Sequence, residues 1–316
     1  MATLQEAVVA SLFQQSDMVA DQVMNHHVLL RTLKDKNRIK RFSGGYEIRK
    51  PIMYNATAQG GFYSHFDAFD LDGSDDATAL QFEIRQAYEP VGISGRDKRA
   101  NRDPEMLLDH AEMKVEAAIA RLKNTISSAV RGDGTTPLSF DGIGKMVSSS
   151  PSSGTYGGYD RGTNTWARNA TYSVSGGFTA ANIQQELTAA LMEVTRGDEM
   201  PDLGILGSTA WKYLHNSLTA IQRLEKAEKA QGGFRTLQYD GCLMAHDGGY
   251  GGGVVSATSA RLLNTNYITL DLVRDADFKP LAPEMDRPVD QDAFFTVIIV
   301  EGNLCCSAPA LNIYAA

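Results

Sequence analysis

Residues 103–132 read Asp103-Pro-Glu-Met-Leu-Leu-Asp-His-Ala-Glu-Met-Lys-Val-Glu-Ala-Ala-Ile-Ala-Arg-Leu-Lys-Asn-Thr-Ile-Ser-Ser-Ala-Val-Arg-Gly132. Asp103 is a capping residue, and Pro104 suits the first helical position. Leu107, Ala111, Val115, Ala118, Leu122, Ile126 and Ala129 follow at spacings of three and four, which predicts one uninterrupted helix. Gly132 is expected to close it in a left-handed conformation. At 1.5 Å per residue the helix would be roughly 40 Å long, over twice the usual globular length. Its narrow, alanine-rich seam suits contact with a sheet or another helix, not the interior of a bundle.

N-terminal to this helix the charge reverses sharply. Residues 31–50 carry Arg31, Lys34, Lys36, Arg38, Lys40, Arg41, Arg49 and Lys50 against Asp35 and Glu47, a net charge of +6. Residues 51–84 carry no Lys or Arg, but Asp67, Asp70, Asp72, Asp75, Asp76 and Glu83 bring a net charge of −6. Residues 46–50 alternate as a strand, Asp72-Gly-Ser-Asp-Asp76 has turn chemistry, and Ala77 to Tyr88 reads as one returning strand. The simplest picture is a long two-stranded excursion with an acidic tip. An isolated hairpin is marginal in water, so support from outside the chain's own core is expected. Complementary charge on successive segments would steer copies of one chain together and fix their register.

Residues 1–34 read as helical, with Leu4, Val8, Leu12, Val19, Val23 and Leu30 at near-helical spacing. Residues 133–180 are rich in Gly and Ser and read as surface loop with short strands. Beyond them, helices are expected at 179–195 and 208–230. Strands are expected at 201–206, 234–244, 260–273, 293–300, 304–306 and 311–314.

The 316 residues suffice for one large or two ordinary domains. No apolar run approaches the roughly 20 residues of a membrane span, and no signal segment is expected. A net charge of −8 argues against a dedicated nucleic-acid reader. Three cysteines, Cys242, Cys305 and Cys306, form neither a disulfide framework nor a CxxC metal pattern, so they read as buried free thiols. Enzyme signatures are weak. Gly142-Ile-Gly-Lys145 lacks the spacing of a phosphate loop. His26 and His27 diverge by about 100° on a helix, which favours a solvated or interfacial role over metal binding. His246-Asp247 reads as part of a turn. No catalytic, cofactor or metal residue is assigned.

The order and spacing of blocks along the chain resemble those of tailed-bacteriophage major capsid proteins with the HK97-like fold. The blocks are Phe42-Ser-Gly-Gly-Tyr-Glu-Ile-Arg-Lys-Pro-Ile-Met-Tyr54, the acidic excursion, and Asn101 before the long helix. Arg131-Gly-Asp-Gly-Thr135, Phe140-Asp-Gly-Ile143 and Arg161 with Trp166 follow it. Pro201-Asp-Leu-Gly-Ile-Leu-Gly-Ser208, Gly233-Phe-Arg-Thr-Leu-Gln-Tyr-Asp-Gly241, Leu263-Asn-Thr-Asn-Tyr-Ile-Thr-Leu270 and Gly302-Asn-Leu304 complete the set.

The resemblance implies an α+β chain with an N-terminal arm (1–44), an extended loop (45–95), a peripheral domain with the spine helix (96–134) and an axial domain (135–255). Residues 256–316 would return to the strands of the peripheral domain. It implies a non-enzymatic structural protein that assembles as hexamers and pentamers into an icosahedral virion shell around double-stranded DNA. Its partners would be itself, a separate scaffolding protein, a portal and decoration proteins, with non-specific proximity to DNA and no membrane. Assembly would take place in the bacterial cytoplasm. The absence of lysine between Pro51 and Ile84 argues against the lysine–asparagine crosslink of some members. The expected inter-subunit contacts join Asp67, Asp70, Asp72, Asp75 and Asp76 to Arg31, Lys34, Lys36, Arg38, Lys40 and Arg41. An encapsulin-like nanocompartment shell is the alternative within the fold. A hydrolytic enzyme with an acidic cleft, using Asp67 and Asp70, is the alternative outside it.

Overall fold

In the computed structural model the periodic stretch forms a 28-residue helix, α2 (Pro104–Arg131). The structure describes residues 27–54, 62, 64–65, 77–96, 104–218, 236–246, 256–281 and 291–316, with the side chains of α2 described from Met113 onward. Val115, Ala118, Leu122 and Ile126 are buried as the spacing predicts, and Ile119 and Val130 widen the seam. Gly132 does not take the left-handed conformation; that falls to Gly134, at φ +82°. A Cβ on Gly132 would lie 2.9 Å from the Ala129 carbonyl oxygen, and the chain folds back so closely here that one on Gly142 would lie 2.3 Å from the Gly132 carbonyl oxygen.

Helix α2 packs along β4 (Arg85–Ser94), the outer strand of a four-stranded sheet. The order is β1 (Ile39–Phe42), β12 (Ile268–Pro280), β13 (Ala293–Cys306), β4. The β1–β12 pair is parallel and the others antiparallel. A short helix, α1 (Val28–Asp35), buries Leu29, Leu30 and Leu33 in the same core. The rest of the expected N-terminal helix lies outside the described residues.

The excursion is present at its base as β2 (Glu47–Met53) paired antiparallel with β3 (Ala77–Glu83), from Glu47 opposite Glu83 to Met53 opposite Ala77. The expected strand from Ala77 to Tyr88 is two strands in two sheets, parted at Ile84. The expectation that this chain's own core leaves the hairpin unsupported is also corrected for its base. Ile48, Leu80 and Phe82 are buried in the main core. Much of that support comes from the glycine-rich tract, which is not merely a surface loop. Its hairpin of β5 (Thr155–Tyr156) and β6 (Tyr159–Asp160) lies under β3. Gln81 N donates to the Gly157 carbonyl at 2.9 Å, and the Thr78 and Tyr159 hydroxyls are 2.6 Å apart. Gly157, at φ +59°, leaves room for Leu80, which a Cβ there would approach to 2.6 Å. Phe140, Ile143 and Met146, the latter two in α3 (Ile143–Met146), extend the same core.

A second, six-stranded sheet is ordered β7 (Ala170–Tyr172), β14 (Ile313–Ala315), β11 (Ala260–Leu263), β8 (Leu203–Leu206), β10 (Cys242–His246), β9 (Thr236–Tyr239). Helices α4 (Ile183–Val194) and α5 (Ser208–Ser217) share its apolar core. Three expectations need correction here. Of the stretch 234–244, residues 236–244 are described and form a hairpin, because Asp240 (φ 48°) and Gly241 (φ 78°) form a two-residue turn of the kind that joins antiparallel strands. The stretch 260–273 is cut at Asn264, whose side chain accepts from Asn266 N and starts a 3-10 turn that carries the chain from one sheet to the other. Helix α5 ends at Ser217, with Leu218 extended, so the expected helix is not continuous, and its remainder to 230 lies outside the described residues. Helix α4 starts after Thr179, because Thr179 and Asn182 exchange backbone-to-side-chain bonds at 2.7 and 3.3 Å. Among the described residues no helix is long and apolar enough to cross a membrane.

Candidate assembly surface

The enzymatic readings find little chemistry. Lys145 of the Gly142–Lys145 stretch is ion-paired with Asp141 at 2.6 Å. His27 is buried rather than solvated, and its Nδ1 accepts from Leu29 N at 3.1 Å as the cap of α1. His246 is half-buried with Nδ1 3.4 Å from the Leu206 carbonyl oxygen. Cys242, Cys305 and Cys306 are buried free thiols. Desolvation pushes Cys306 up to about 12 and raises the other two, so none is a ready nucleophile at neutral pH. Among the described residues no group of three or more His, Cys, Asp or Glu could hold a metal ion.

The surface is more informative. The hairpin has two unlike faces, because side chains alternate along each strand. Its inner face holds Ile48, Lys50, Ile52, Thr78, Leu80 and Phe82. Its outer face holds Glu47, Arg49, Pro51 and Met53 opposite Glu83, Gln81, Ala79 and Ala77. Met53 is 85% exposed, and Tyr46, just before β2, is 97% exposed. A groove of about 810 Å³ lies between the C-terminal half of α2, the start of β4 and the loop 132–140. Tyr88 and Leu138 line it, 69% and 73% exposed. Leu138 also sits at φ +63°, a conformation that costs a non-glycine residue on the order of 1 kcal/mol. A strained, solvent-facing leucine beside an exposed tyrosine is unfavourable in a subunit that stands alone.

The basic residues singled out from the sequence lie on α1, β1 and the turn between them, and several already have partners within the chain. Arg31 bonds Asp35 at 3.3 Å, Lys36 bonds Asp202 at 2.5 Å, and Arg41 bonds Asp277. Asp202 also accepts from Thr265 N and Oγ1 at 2.6 and 2.7 Å, so Lys36 ties α1 to the start of the second sheet. Lys34 and Arg38 are half-buried and Lys40 is exposed. Asp67, Asp70, Asp72, Asp75 and Asp76 lie outside the described residues.

Sequence reasoning missed an ion pair between Lys50 Nζ and Asp271 Oδ2 at 2.5 Å, with side chains 14% and 3% exposed. Lys50 breaks its own strand pattern, since it stands between Ile48 and Ile52 where apolar alternation calls for a hydrophobe. That break was the available signal.

No family model matches the chain, and no curated protein sequence does. Solved structures do. The cyanophage A-1(L) capsid asymmetric unit superposes with a TM-score of 0.63 at 14% identity, over 88% of this chain and 89% of that one. The capsid of the native GTA particle gives 0.61 at 10% identity, over 89% and 88%. A chain of Mycobacterium phage Cain gives 0.52 at 9%, over 86% and 83%. The architecture is therefore the α+β HK97-like capsid fold.

Proposed function

We propose that this chain is the major capsid protein of a tailed bacteriophage, a structural, non-enzymatic subunit. It assembles with copies of itself as hexamers and pentamers into an icosahedral shell around double-stranded DNA. The observation that carries the reading is the likeness to capsid subunits over nearly nine-tenths of both chains. The exposed Tyr46, Met53, Tyr88 and Leu138 support it, because they are apolar surface that neighbouring copies would cover. The regions 1–44, 45–95, 96–134, 135–255 and 256–316 then serve as arm, extended loop, peripheral domain, axial domain and peripheral return. Scaffolding, portal and decoration proteins are the further partners. The net charge of −8 fits a shell that encloses DNA without gripping it.

Within the shell, Asp67, Asp70, Asp72, Asp75 and Asp76 of one copy meet the basic face of α1 and β1 on the next, where Lys34, Arg38 and Lys40 are joined by Arg31, Lys36 and Arg41. Each exposed pair contributes only about 0–1 kcal/mol, but the contact repeats around every ring. Size-exclusion chromatography and negative-stain microscopy of the purified chain test the shell itself. Megadalton closed particles are expected, and a monomer at all concentrations sinks the reading. Replacing Asp72, Asp75 and Asp76 by Asn should leave the subunit folded and slow particle formation at least tenfold at 0.1 M salt. Normal assembly by that variant would remove the charge contact and leave the apolar surface as the cause.

A further inference from the structure

Besides its bonds to the β5–β6 hairpin through Gln81 and Thr78, the β2–β3 hairpin is held to the four-stranded sheet by two directional contacts whose acceptor and donor on that sheet are neighbours. Asp271 on β12 and Asn303 on β13 stand opposite each other in register. Asp271 takes the ammonium of Lys50, on β2. Asn303 donates through Nδ2 to the Glu83 carbonyl, on β3, at 2.9 Å, while its Oδ1 accepts from Asp141 N at 2.7 Å and Leu304 N at 2.8 Å. Lys50 pairs across the hairpin with Leu80, three residues from Glu83. The two anchors are therefore on different strands and about 10 Å apart along the hairpin. Two such points fix its direction as well as its place.

The surroundings make this an unusual choice of residues. Around Lys50 the inner face presents Ile48, Leu80 and Phe82, all buried, while Asp271 shares its face of β12 with Thr269, whose hydroxyl donates to Asp271 Oδ2 at 3.3 Å. Gly302 lets the strands close up there, since a Cβ on it would lie 2.2 Å from the Asp271 carbonyl oxygen. Apolar residues of similar volume would hold the two surfaces together as firmly as a buried ion pair, because the pair must overcome its own desolvation. Apolar packing has no preferred direction, however, and tolerates sliding and rocking. The best-attested gain from a buried ion pair is a single register and orientation.

We propose that Lys50, Asp271 and Asn303 are positioning residues that fix the angle at which the hairpin leaves the subunit, and thereby the geometry in which copies join. The link to assembly rests on the shell reading; the fixing of the hairpin does not. The test compares wild type with the double variant Lys50→Met/Asp271→Leu, which removes both charges and leaves neither unpaired, and with Lys50→Arg, which keeps the charge. Two readouts are taken: amide exchange along 77–83 in the subunit, and the spread of particle diameters. The double variant is expected to keep its thermal midpoint within a few degrees and the exchange protection of β13. Its exchange at 77–83 should rise at least tenfold, and its particles should become heterogeneous in size. Lys50→Arg should restore both readouts toward wild type. A double variant with wild-type exchange at 77–83 overturns the proposal, as do uniform wild-type particles from that variant. If wild-type chains form no particles, the shell reading fails, and the exchange contrast alone still decides whether the pair positions the hairpin.

Discussion

The four-stranded and six-stranded sheets have similar apolar interiors but place charge differently. Around the six-stranded sheet Leu187, Leu191, Leu206, Leu214, Met244 and Leu262 close over one another. Its buried polar groups serve backbone acceptors and donors: Asn264 with Asn312 close to its own strands, and Arg261 on β11, whose Nε donates to the Val147 carbonyl at 3.0 Å. The four-stranded sheet buries Asp271 against Lys50, pairs Asp277 with Arg41, and lets Asn303 bridge three segments. It also leaves Tyr88 in the open. One region is built to hold itself together. The other also anchors the base of the β2–β3 hairpin, and on the positioning proposal a fixed direction requires hydrogen bonds and charges where burial alone would select hydrophobes.

Four predictions would break or sharpen that contrast. The largest effect belongs to Leu122→Asp. Leu122 is fully buried on α2, so a carboxylate there should abolish folding, read as loss of soluble protein and of a cooperative urea transition. A soluble, folded Leu122→Asp monomer would show that α2 is not the spine of this core. Next is Lys50→Ala, which strands Asp271 in the interior and should cost about 3–5 kcal/mol by urea denaturation. A cost near zero would mean the pair is solvated, and the contrast between the sheets would weaken.

Third come Gly302→Ala and Gly207→Ala, one in each region. A Cβ at Gly207 would lie 2.0 Å from the Ser256 carbonyl oxygen, as tight as the approach of Gly302 to Asp271. Each should cost about 3 kcal/mol, but only Gly302→Ala should also disturb exchange in the hairpin. The smallest effect is alkaline. Cys306 is raised in the folded state, so its stabilisation is complete below the unfolded thiol value near 9 and is lost as the pH climbs toward the folded value of about 12. At pH 10.5 the loss should be on the order of 2 kcal/mol, and Cys306→Ala should remove that part of the pH dependence.

Much of the local structure was legible because it depends on near neighbours. The spacing from Val115 to Ile126 gave the seam of α2, and the alternation after Tyr46 gave β2. Where reading along the chain failed, it failed at turns hidden inside apolar alternation. Asp240-Gly241 and Asn264 each interrupt an otherwise continuous strand pattern. Ile84 does the same with no turn residue at all, because the break there comes from a change of partner strand.

The sequence by itself determined the seam of α2, the alternation of β2, the charge reversal at Pro51 and the order of blocks that resembles capsid subunits. Periodicity, composition and spacing are properties of the chain before it folds. Only the tertiary structure decided that the glycine-rich tract lies beneath the hairpin, that Arg31, Lys36 and Arg41 have partners of their own, and that Lys50 meets Asp271. Lys50 and Asp271 are 221 residues apart. Nothing local to either one marks the other, and the pair exists only because the hairpin packs on the four-stranded sheet in one particular way.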